Sequence, residues 1–75
     1  MPSRSPPLSV EIKKQILAQE VQTYENTLYL LQVRYRVNKK LDNKEAMKAA
    51  EDELIKIEQA LDELRGMQKE VTDEI

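Results

Sequence analysis

Apolar residues recur along this chain at alternating steps of four and three, the spacing that holds them on one side of an α-helix. The first stripe is Val10, Lys14, Leu17, Val21, Tyr24, Leu28, Leu31, Tyr35 and Asn38, with seven of its nine positions apolar. The second is Met47, Ala50, Leu54, Ile57, Leu61, Leu64, Gln68, Val71 and Ile75, in which Gln68 alone is polar. Two sustained stripes predict an all-α chain of two long amphipathic helices, over about residues 9–40 and about 44–73.

The boundaries carry their own signals. Ser9 is placed to cap the first helix with its hydroxyl, and Glu11 follows near the positive end of the helix dipole; Ser5 before Pro6 is a weaker start. Lys39 and Lys40 suit the negative end of the same helix. Asp42 with Glu45 three residues on resembles a capping box, and Leu41 is placed to staple onto Ala46. The turn is therefore expected at about residues 41–43, and so short a connection makes the helices antiparallel neighbours. Residues 9–75 read as one helical hairpin, preceded by a flexible Pro/Ser-rich segment at 1–8 that holds Pro2, Pro6 and Pro7.

The two stripes match in phase when folded on each other. Asn38 then faces Met47, Tyr35 faces Ala50, Leu31 faces Leu54, Leu28 faces Ile57, Tyr24 faces Leu61 and Val21 faces Leu64. Leu17–Gln68, Lys14–Val71 and Val10–Ile75 follow, so the polar members gather at the open end, where fraying is expected. Ala46, Ala60 and Met67 widen the second stripe, interrupted by Glu53, which favours a bundle over a two-stranded rope. Gly66 lies on the outer face and predicts a gentle kink or fraying beyond it.

The first helix carries apolar residues on its other side as well. Leu30, Val33 and Val37 form this second face, with Tyr29 beside it, Leu41 beyond it, and Ile12 and Ile16 near its start; Gln19, Thr23 and Asn26 interrupt it. A hairpin covers its seam but not this face, which would be a large apolar patch for so small a protein. A second copy of the chain supplies the missing cover. The expected assembly is a homodimer forming a four-helix bundle, with Ile16, Leu30, Val33 and Val37 at the interface. A helix from a different protein partner is the other occupant of that groove.

Composition supports this direction. A chain of 75 residues has room for one small domain and usually needs a staple. Cys and His are both absent, which removes disulfides, ordinary zinc sites and both Ser–His–Asp and Cys–His catalysis, and leaves oligomerisation. One glycine forms no phosphate loop. Carboxylate runs such as Glu51-Asp52-Glu53 and Asp62-Glu63 fall on the wet face, without the dry pocket that separates the pKa values of an acid–base pair. No enzymatic activity, cofactor, metal or small-molecule substrate is expected. Neither a signal-peptide core nor a membrane-spanning apolar run is present, and a cytoplasmic location is expected.

Charge changes the picture at one end. Arg34, Arg36, Lys39, Lys40, Lys44 and Lys48 face only Asp42 and Glu45 in sequence, a net of +4, whereas the remaining residues carry six basic and twelve acidic side chains. Such a basic tip suits phosphate, on RNA or DNA, or an acidic protein. Its more ordinary roles are to complement a helix C-terminus, to keep the turn soluble and to set the relative orientation of two hairpins. A dimer of helical hairpins resembles in shape the RNA-binding Rop regulators, without a shared sequence motif, so only the outline is common. The sequence thus points to a self-associating, non-enzymatic interaction or assembly module. The alternatives are a nucleic-acid-binding regulator that uses the basic turn, and a chaperone-like or inhibitor hairpin that holds a client on its second face.

Overall fold

The computed structural model describes residues 9–74. Among these residues two helices make up the fold, α1 (Val10–Lys40) and α2 (Lys44–Asp73), folded back on each other as an antiparallel hairpin. The expected flexible segment at 1–8 and the outermost Val10–Ile75 layer reach outside the described residues.

Local chemistry sets where each helix begins and ends. The Ser9 side chain accepts a hydrogen bond from Ile12 N at 3.2 Å, so one of the free N–H groups of the first turn is satisfied. At the other end of α1, Asp42 adopts a left-handed backbone with φ 55°. Asp42 N donates to Lys39 O at 3.1 Å and Asn43 N donates to Asn38 O at 2.9 Å. This pair of bonds is a Schellman motif, with an aspartate in the position that glycine fills at least cost.

The cap of α2 differs from the sequence expectation. Asn43, rather than Asp42, is the N-cap, and its Oδ1 accepts from Ala46 N at 3.1 Å. Asp42 is committed to the left-handed turn and has no freedom to serve as a cap. Asn43 therefore does two jobs, closing α1 with its N–H and opening α2 with its side chain, which is why the connection is so short. This shift also displaces the expected staple. Residue 42 now precedes the cap, and Leu41 stays 69% exposed instead of packing on α2.

The seam is where the two stripes meet. Leu17, Leu31, Ala50, Leu61 and Val71 are buried and every other described seam position, from Val10 to Gln68, is half-buried. Leu61 is the most enclosed, at 2% exposure. No polar or charged side chain among the described residues is buried. The hairpin is held by aliphatic contact, each fully covered side chain contributing about 1.5–3 kcal/mol.

The open end is better closed than its polar layers suggested. Leu17 and Val71 are both buried there, and Lys13 Nζ lies 2.9 Å from Glu74 Oε1 across the two helices. Burial of Val71 also explains why α2 runs through Gly66 to Asp73 instead of fraying, because packing outweighs the roughly 1 kcal/mol propensity cost of glycine. A Cβ at Gly66 would meet nothing within 4 Å, so the glycine serves no close approach.

Candidate interaction surface

The seam consumes one side of each helix, and the opposite sides differ sharply. On α2 the outward side is charged and wet, with Glu51, Asp52, Glu58, Asp62 and Glu63 all exposed. Ile55 is an isolated exposed apolar residue on that side. On α1 the outward side is apolar at both ends. Ile12, Ile16, Leu30, Val33 and Val37 are all exposed, Leu30 by 46% and Val33 by 39%. Tyr29 is exposed beside them, whereas Tyr24 and Tyr35 are half-buried in the seam.

The candidate interface residues Ile16, Leu30, Val33 and Val37 thus share one face of α1. They belong to a row of eight, with Ile12, Gln19, Thr23 and Asn26, that keeps the four-and-three step from end to end. In a chain with 35% charged residues, this row contains none. Its polar centre is internally organised. Thr23 Oγ1 donates to Gln19 O at 3.0 Å, and Asn26 Oδ1 accepts from Gln22 Nε2 at 2.9 Å.

Among the described residues, shallow grooves run between the helices at either end. One, of about 230 Å³, lies near the open end between Ile16 and Leu17 on α1 and Met67 and Val71 on α2. Met67 was expected to broaden the seam, yet it is an exposed rim of this groove, because the hairpin alone offers nothing to cover it. The other, of about 220 Å³, is floored near the turn by Ala46, Ala49 and Ala50. Charged side chains such as Glu70 and Glu74 border the first groove, and Arg34 and Glu53 border the second. The row on α1 itself contains no charged side chain, although Lys13, Glu70 and Glu74 border the groove beside Ile16.

The basic residues Arg34, Arg36, Lys39, Lys40, Lys44 and Lys48 are all exposed around the turn end. Among the described residues they form no ion pair, the two pairs present being Lys13–Glu74 and Lys56–Glu53 at 3.4 Å.

The remaining chemistry is thin. Among the described residues no group of three or more acidic side chains is placed to hold a metal ion, and no helix is long and apolar enough to cross a membrane. No ionisable group among them is buried. No protein-family model, curated protein or solved structure matches the chain.

Proposed function

We propose that this chain is a non-enzymatic interaction module, a helical hairpin that self-associates through the outward face of α1 into a four-helix assembly. The observation that carries this reading is the uncharged row from Ile12 to Val37, with five large aliphatic side chains left in water by the hairpin itself. Isolated apolar residues are ordinary on a surface. A charge-free row along most of a 31-residue helix is a face prepared for another helix. A second copy is the simplest donor of that helix, since closed twofold dimers need no other gene product.

The test is mass in solution. Wild-type protein should approach twice the 8.8 kDa chain mass with rising concentration. The double variant Leu30→Lys with Val33→Lys should sediment as a single chain with unchanged helicity. Equal masses for the two proteins would refute the reading.

The second reading, a nucleic-acid-binding regulator, draws on the six unpaired basic side chains at the turn. It requires a gel shift with RNA or duplex DNA that weakens with salt and disappears with Lys39→Glu and Lys40→Glu together. No shift at low salt removes it.

A further inference from the structure

The row on the outward face of α1 is self-complementary in one arrangement. Its steps run four, three, four, three, four, three, four from Ile12 to Val37, a pattern that reads the same in both directions. Laid antiparallel on its own copy, it meets itself layer by layer. Ile12 falls opposite Val37, Ile16 opposite Val33, Gln19 opposite Leu30 and Thr23 opposite Asn26. A shift of one heptad either way costs layers. It either leaves Val33 and Val37 facing Ser9 and the chain beyond it or brings Lys40 against Ile16.

We infer that two copies pair α1 against α1 in this antiparallel register, with the twofold axis passing between Thr23 and Asn26. The inference rests on the self-association proposed above and specifies its geometry.

The polar centre fits the axis. Thr23 has spent its hydroxyl hydrogen on Gln19 O and keeps acceptor lone pairs. Asn26 has spent Oδ1 on Gln22 and keeps its amide hydrogens, for which the described residues supply no acceptor. Facing each other across the axis, donor meets acceptor twice. A buried polar pair of this kind fixes register where aliphatic layers alone would tolerate slippage.

Charge selects the antiparallel sense over the parallel one. The turn end, from Arg34 to Lys48, carries a net +4. The open end, residues 10–22 with 62–74, holds four basic and seven acidic side chains, a net of −3. Antiparallel pairing sets each basic turn beside the acidic open end of the other hairpin. Parallel pairing would set like against like at both ends.

The geometry also fixes the shape. At 3.6 residues per turn, the outward row lies about 160° around α1 from the seam. A square bundle needs the two contacts of each helix about 90° apart. The dimer is therefore a flat row in which the two α1 helices are central and the two α2 helices are outermost, with the charged backs of α2 on its edges.

Cysteine cross-linking tests this directly, since the chain has no cysteine of its own. Ile16→Cys and Val33→Cys are made separately, checked for helicity, then oxidised alone and as an equal mixture. The mixture should yield about tenfold more disulfide-linked dimer than either variant alone, because each cysteine lies about 25 Å along the helix from its own copy. Gln19→Cys mixed with Leu30→Cys provides a second pair and should behave alike. Efficient linking of Ile16→Cys with itself would show parallel pairing and overturn the register while leaving self-association intact. No linking in either mixture, from a wild-type protein that sediments as a dimer, would place the interface elsewhere. A wild-type protein that stays monomeric would overturn the proposed function itself.

Discussion

Truncating Leu61 to alanine should be the most damaging conservative change in the hairpin. Leu61 is 2% exposed, the most enclosed side chain of the seam, so the truncation removes aliphatic contact that water does not replace. Leu→Ala changes in enclosed positions cost about 2–5 kcal/mol. A two-helix layer relaxes more readily than a thick core, which argues for the lower part of that range, about 2–3 kcal/mol. A chain of 75 residues, at about 0.05–0.15 kcal/mol per residue, has a total stability of about 4–11 kcal/mol. The variant should therefore lose between about a fifth and three quarters of its stability. Ile55→Ala is the control, since Ile55 is 54% exposed and should change stability by less than about 0.5 kcal/mol. Urea unfolding followed by circular dichroism reads both. With a slope near 1 kcal/mol per molar urea, the Leu61→Ala midpoint should fall by about 2–3 M while that of Ile55→Ala stays in place. Protein concentration must be equal throughout, because the proposed self-association would add to apparent stability. Equal shifts for the two variants would show that the seam is not where the structure places it.

Two further outcomes concern the turn. Asp42→Gly should raise the urea midpoint, by up to about 1 kcal/mol in stability, because glycine adopts the φ of 55° without the Cβ penalty. Asn43→Ala should cost about 1 kcal/mol through loss of the Ala46 cap, measured by the same unfolding curves, whereas Glu45→Ala should cost little, since no capping bond from Glu45 is made.

The architecture was legible in the sequence because both stripes hold their period without a slip, and period is what packing reads. The Ser9 cap was legible for the same local reason: a hydroxyl residue directly before the first periodic position. The turn was not. Asp42 and Asn43 are both capping residue types, and propensity alone does not tell which one takes the left-handed position. The choice is made by where α1 runs out of carbonyl partners, with Lys39 and Asn38 accepting the last two N–H groups. The packing at the open end was less legible, since a count of polar layers omits the Lys13–Glu74 pair and the burial of Val71. The outward face of α1 was legible as a second apolar stripe, with Ile16, Leu30, Val33 and Val37 as its expected contact residues, because it keeps the helical period. Their degree of exposure and the hydrogen bonds of Thr23 and Asn26 at its centre depend on the folded geometry and could not be read from period alone.

In the proposed dimer α1 serves two helices at once, α2 on one side and a second α1 on the other. An isotope-filtered NMR experiment on an equal mixture of ¹³C-labelled and unlabelled protein detects contacts between copies and no others. Cross-protomer signals should join the methyls of Ile16 to those of Val33, and those of Ile12 to Val37. Their absence at concentrations where the protein sediments as a dimer, or contacts between copies through Leu28 and Leu61 instead, would contradict it.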